Sequence, residues 1–158
     1  MSATYAGAVA AMRAKFEAEW ITAPATPRSR ITYANEKPAA PWPPKQSDGR
    51  LAGWVLFEVI AAPTSKAYPG TPGKRMVVTD GHIYVTAYVP IGAGADAAIA
   101  LAEAGGEIFR EKTFYTDEDA GCYVRTWTPG LGRVEDGDDE GQWFRFTAAI
   151  PFSFWTFA

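Results

Sequence analysis

Gln142-Trp143-Phe144-Arg145-Phe146-Thr147-Ala148-Ala149-Ile150-Pro151-Phe152-Ser153-Phe154-Trp155-Thr156-Phe157 is the stretch on which the fold turns. Phe144, Phe146, Ala148, Ile150, Phe152 and Phe154 take alternate positions, and Trp143, Arg145, Thr147, Ala149, Ser153 and Trp155 lie between them. A period of two places the first set on one face of a β-strand and the second on the other. Pro151 has no N–H to give a neighbouring strand, so it predicts an edge position or a bulge at that point. Seven of the last sixteen residues are aromatic, so this one strand holds much of the chain's aromatic content.

Upstream, Ile83, Val85, Ala87 and Val89 alternate with Tyr84, Thr86 and Tyr88, which reads as a strand from His82 to Val89. Another strand is expected from about Arg75, with Asp80-Gly81 as the hairpin turn joining the two. Trp54–Ala62 reads as a strand apolar on both faces, hence central or covered. Cys122–Thr128 and the shorter Arg30–Ala34 complete the strand set. Pro63–Lys74, with Tyr68 inside it, is too long for a tight turn and reads as a projecting loop.

Two helices are expected. Across residues 2–21, Tyr5, Val9, Met12, Phe16 and Trp20 recur at three- and four-residue spacings, and Pro24 and Pro27 end the pattern. Across 96–111, Asp96 reads as the cap, with Ile99, Ala102, Gly106 and Phe109 as the buried stripe. Gly105-Gly106 inside that helix costs about 1 kcal/mol per residue relative to Ala, so the pair marks close packing against a sheet or a break. The fold class is therefore α+β: a mixed or antiparallel sheet of about four to six strands with two main helices packed on it, in one domain covering residues 1–158.

Composition narrows the chemistry. The 158 residues hold one cysteine and one histidine, Cys122 and His82, which excludes an internal disulfide, a multi-cysteine metal site and a two-histidine zinc site. A net charge of −3 gives no general attraction to nucleic acid. No stretch reaches the ~20 apolar residues of a membrane helix, and Met1–Met12 lacks the basic start of a signal peptide, so the expectation is a protein made in the cytoplasm with no membrane partner. The charge is segregated. Residues 117–140 carry eight acidic side chains against Arg125 and Arg133, a local −6, which leaves +3 on the remainder. Between Arg28 and Arg50 lie five basic residues and two acidic ones, among Pro38, Pro41, Pro43 and Pro44, so an extended Pro-rich arm is expected there.

Three motifs point to chemistry, each faintly. Gly92-Ala93-Gly94-Ala95-Asp96-Ala97 has the spacing of a dinucleotide fingerprint, but Asp96 would oppose a pyrophosphate, and the alternating strand–helix units of a parallel sheet are missing. Asp136-Gly137-Asp138-Asp139-Glu140-Gly141 begins like a calcium loop, but Thr147 stands where the bidentate glutamate belongs. Cys122 with His82, or the carboxylates Asp117 and Asp119, would be the catalytic pairs, and nothing in the pattern brings either to a pocket. No catalytic residue, cofactor or metal is expected.

The layout resembles the tail terminator-like proteins of long-tailed double-stranded DNA phages, including their prophage and gene transfer agent versions. The residues that carry the resemblance are Met12-Arg13-Ala14-Lys15-Phe16-Glu17 in the first helix and Tyr33-Ala34-Asn35-Glu36-Lys37-Pro38 in the Pro-rich stretch. The sharpest is His82–Gly94, a strand ending in Val89-Pro90 and a glycine loop, followed by a helix ending at Ile108-Phe109; Trp143–Phe152 closes the pattern. The chain departs from it in the length of Asp117–Gly141 and in the aromatic ending Phe154–Phe157. The resemblance implies a structural virion protein and not an enzyme. Such a protein forms a ring, a hexamer, that caps the tail tube at its head-proximal end, stops tube growth and joins the tail to the head connector, with DNA only passing through. Its partners would be further copies of itself, the tube protein and the connector or stopper. Interface candidates are Trp42, Tyr68, Trp155 and Phe157, with Asp136, Asp138, Asp139 and Glu140 facing the lumen or a neighbouring subunit. Two other readings stand beside it: another head–tail neck protein, and a small α+β ligand-binding domain or enzyme built on the Gly92–Ala97 turn.

Overall fold

A computed structural model of the chain describes residues 3–119, 121–132 and 142–157. In chain order the elements are α1 (Tyr5–Glu19), β1 (Ile21–Thr22), β2 (Thr26–Pro27), β3 (Arg30–Tyr33), β4 (Trp54–Ala61), β5 (Lys66–Ala67), β6 (Met76–Pro90), α2 (Ala95–Phe109), β7 (Thr113–Asp117), β8 (Cys122–Thr126), β9 (Gly130–Gly132) and β10 (Trp143–Phe157). The α+β reading holds. β1 and β2 form a small hairpin, and the other strands form one eight-stranded sheet in the order β3-β4-β6-β10-β8-β7, with β5 added to β6 and β9 to β10. The expected four to six strands fit the main path but not the whole sheet. The extra strands are two- and three-residue pieces, too short to carry a periodic signal.

The spine of the sheet is the antiparallel pair β6–β10, in register over fifteen residue pairs from Met76↔Phe157 to Pro90↔Trp143. At ~3.4 Å per residue that is a ribbon about 50 Å long. It corrects two expectations. Asp80-Gly81 is not a turn, because β6 runs straight through it. Gly81 is required there for proximity: a Cβ on it would lie 2.5 Å from the Ile60 carbonyl oxygen and 2.8 Å from the Phe152 ring. Pro151 is not at an edge, since β10 has neighbours on both sides. β9 pairs with Thr147–Ala149 and β8 with Phe152–Trp155, so the nitrogen of Pro151 falls in the gap between them. Its carbonyl still accepts the Trp127 N–H at 3.1 Å.

Both helices pack on one face, over the alternate residues Val55 and Phe57 of β4, Ile83 and Val85 of β6, Val124 of β8, and Ala148 and Ile150 of β10. On α1 the buried set is Ala8, Met12 and Phe16, followed by Trp20; Tyr5, expected in the stripe, is exposed, and Val9 is partly buried. Thr4, not the apolar run itself, starts the helix by accepting the Gly7 N–H at 3.0 Å. Phe16 stacks on Trp20 and Phe57, each at 5.0 Å between ring centres, and the buried Trp20 donates its indole N–H to the Ser29 carbonyl. On α2 the cap is Gly94, with no side-chain bond, and Asp96 lies inside the first turn instead of capping it. Gly105 and Gly106 mark close packing and not a break. A Cβ on Gly105 would stand 2.6 Å from Cγ1 of Val85, and one on Gly106 would stand 3.1 Å from Cβ of Pro129.

Candidate functional site

Among the described residues the other face of the sheet carries no helix, and along it two aromatic clusters sit at the two ends of the β6–β10 ribbon. At the end where β6 begins and β10 closes, Trp155 is sandwiched between Tyr68 at 6.0 Å and Tyr123 at 5.7 Å. Tyr68 is held there because its segment folds back as β5 on Val77 and Val78, with its own N–H given to the Met76 carbonyl. The 63–74 loop is therefore a flap against its own sheet for part of its length, not wholly a projection. Phe157 packs on Gly121, where a Cβ would lie 2.2 Å from its ring, yet it remains 46% exposed, and Tyr68 is 47% exposed. Three of the four aromatic interface candidates thus share one end.

Trp42, the fourth, lies at the opposite end. It meets Trp54 edge-on at 4.9 Å, and Trp54 stacks on Tyr88 at 3.9 Å and meets Trp143 at 5.8 Å. The Pro-rich arm is thereby folded onto its own chain. Arg30 fastens it, donating to the carbonyls of Ala39 and Pro41 while its guanidinium lies 5.5 Å over the Trp42 ring. Trp42 is 37% exposed. The Asn35 turn is pinned to α1 by Arg13, which grips both oxygens of Glu36 and reaches Glu17 at 3.2 Å. The Arg13 hydrogen bond holds the Glu36 carboxyl below its usual range. Burial, then the hydrogen bond to Glu17, pushes the Tyr33 phenol well above its usual range.

Beside this arm, a groove of about 1480 Å³ runs between β3, the 44–53 segment, the end of β6 and α2. Its apolar surface comes from Leu51, Ile91, Ala97, Ala100, Leu101 and Ala104, and Ile91 is 58% exposed. Arg28, Arg30, Lys45 and Arg50 line it against one carboxylate, Glu17, which is already engaged by Arg13 and Tyr33. The basic excess between Arg28 and Arg50 is visible in the sequence; its convergence on one groove is not, because that depends on how the 28–33 and 44–53 segments fold against each other.

The catalytic candidates do not come together. Cys122 is buried on the helix side and gives its thiol to the Tyr115 carbonyl, while His82 lies on the opposite face, stacked near Tyr84. Asp117 and Asp119 shape a turn, the Asp119 N–H bonding to Asp117, at the exposed tip joining β7 and β8. Gly92 and Gly94 have φ of +87° and +93°, so backbone geometry by itself accounts for both glycines. Among the described residues, no three His, Cys, Asp or Glu side chains converge as a metal site requires. Nor is any helix among them long and apolar enough to cross a membrane. Asp136, Asp138, Asp139 and Glu140, and with them the calcium-like segment, lie outside the described residues.

No family model matches the sequence, and no curated protein does. Four chains of solved structures match in fold. One of them, known by a sequence label alone, aligns with a TM-score of 0.53 over 92% of this chain and 92% of its own, at 19% identity. At that identity the likeness speaks for the architecture alone: a solved protein adopts this arrangement of sheet and helices over nearly its whole length.

Proposed function

We propose that this chain is a tail terminator: a subunit of a hexameric ring that caps the tail tube of a long-tailed phage or phage-derived particle, stops its growth and receives the head connector. One observation carries the reading. Among the described residues, reactive side chains are dispersed over both faces of the sheet, while partly exposed aromatic clusters lie at the two ends of the ribbon and an open apolar groove beside one of them is larger than the usual 300–1,000 Å³ of a small-molecule pocket. Surface of that kind fits contacts with other chains. Ring closure asks each subunit for two different contact surfaces, and the aromatic end and the groove supply two. In this role the protein belongs to the head-proximal end of the tail, its partners are other copies, the tube protein and the connector, and DNA only passes through.

Electron microscopy of particles carrying a labelled version of this chain tests the proposal. The expected result is a single ring of label at the head-proximal end of the tube. Label along the tube, in the head, or absent from particles sinks it. A neck protein of another layer would place the ring elsewhere between head and tail. One specific feature keeps a ligand-binding reading in view, namely that Ala93 and Ala97 of the glycine turn line the groove. A strict monomer that takes up a nucleotide-sized ligand would favour that reading.

A further inference from the structure

The groove and the acidic tip joining β7 and β8 sit at diagonally opposite corners of the sheet. The groove lies beside β3, the first strand of the sheet order, at the end where β6 finishes with Val89 and Pro90. The tip lies beyond β7, the last strand of that order, at the end where β10 finishes with Phe157. Along β6 alone the two are separated by about 45 Å at ~3.4 Å per residue. Within one chain they cannot touch.

Their chemistry is complementary. Arg28 and Lys45 are exposed in the groove and make no ion pair within 4 Å among the described residues, and Arg50 has only a loose, exposed contact with Asp48. At the tip, Thr116, Asp117, Glu118 and Asp119 are exposed in a row, and the half-exposed Phe157 ring stands beside them against Gly121. The tip is thus an apolar ring beside carboxylates, and the groove an apolar trough flanked by cations. From this we infer that the tip and Phe157 of one copy dock in the Arg28–Arg50 groove of a second copy, joining subunits head to tail. A contact between different patches at opposite corners repeats from copy to copy and closes into a ring when the rotation per step allows it. The inference rests on reading the chain as a ring subunit, and specifies which surfaces meet.

Two charge-reversed full-length chains test it, R28E/R50E in the groove and E118K/D119K at the tip. All four side chains are exposed, and circular dichroism with thermal unfolding checks that both variants fold. Sedimentation velocity at low salt gives the association of each. The wild-type chain self-associates, each variant alone does so about tenfold or more weakly, and high salt weakens the wild type. Mixed in equal amounts, the variants associate again, because each then presents a tip of the sign the other's groove requires. F157A weakens association without changing its salt dependence. Wild-type association that both variants retain overturns the contact and leaves the ring reading standing, as does a mixture that fails to restore what the single variants lose. A wild-type chain that stays monomeric at about 1 mM, where even a Kd of that order is visible, overturns the contact too; the ring reading is then decided by the particle microscopy alone.

Discussion

Gly105→Ala separates packing from helix propensity more cleanly than any other single change in this chain. In an exposed helix the substitution stabilises by about 1 kcal/mol, since Ala loses less backbone freedom than Gly. Here the new methyl would stand 2.6 Å from Cγ1 of Val85, where carbon atoms in contact prefer about 3.8 Å. Val85 cannot yield readily. It is fully buried, β-branched, and held in β6 between β4 and β10. Relief must come from shifting α2 off the sheet by about 1 Å, which puts the cost near the upper end of the ~1–3 kcal/mol seen on overpacking. The net expectation is a loss of about 2 kcal/mol, or about 4–8 °C in Tm for a chain of this length. Val85→Ala empties the space the methyl needs. In that background Gly105→Ala should raise stability, giving a coupling of about 2–3 kcal/mol across the double-mutant cycle. Urea unfolding followed by tryptophan fluorescence measures all four corners. A Gly105→Ala protein as stable as the parent, or additive behaviour in the double variant, would falsify the claim that this glycine is a contact residue between helix and sheet.

Gly81→Ala is expected to lose more stability than Gly105→Ala, because its methyl meets the Ile60 backbone oxygen at 2.5 Å and a main chain yields less than a side chain; lower Tm together with lost amide protection at Ile60 and Ala61 checks it. Arg30→Ala releases the carbonyls of Ala39 and Pro41 and the ring of Trp42, so limited proteolysis should cut within 35–50 while the β6–β10 amides stay protected. The Glu36 carboxyl is held low by Arg13, so its contribution to the fold is present above its unfolded value and fades as pH falls through the lower folded one. Carbon-detected NMR titration should find Glu36 below the ordinary range and find it returned there in Arg13→Gln. Thr4→Ala removes the acceptor for the Gly7 N–H and should cost about 1 kcal/mol, read as earlier fraying of α1 in hydrogen exchange.

The long elements were legible because their signal is repeated many times. β10 forms one fifteen-residue strand, and the period of two places its faces as the register does from Trp143 to Trp155. What misled was local punctuation read without its neighbours. Asp80-Gly81 has the chemistry of a turn, but the same glycine also serves where two strands crowd an aromatic ring, and only the tertiary partner, Phe152, distinguishes the uses. Pro151 forbids a donor on one side only, and a junction between two short partner strands satisfies that as well as an edge does. β7 gives no periodic signal, and its register with β8 shifts between Phe114 and Asp117 around Tyr115, at φ +54°. Of the candidate surfaces, exposed aromatics at the chain end were readable from sequence. The groove was not, because Arg28 is far from Lys45 and Arg50 in sequence and the three line one groove only in the folded chain.

The unbroken register of β6 with β10 has a mechanical consequence. Because one unbroken ladder joins the aromatic end to the groove end, the component of any tension that runs along the strands loads its hydrogen bonds side by side and not one after another. Bonds sheared together share the force, whereas a hairpin opened from its turn presents them singly. Had Asp80-Gly81 been a turn, the same residues would have peeled apart. As built, the ribbon is a tie rod. A subunit pulled along β6 and β10 yields first in its short strands and its arm, and last in that ladder.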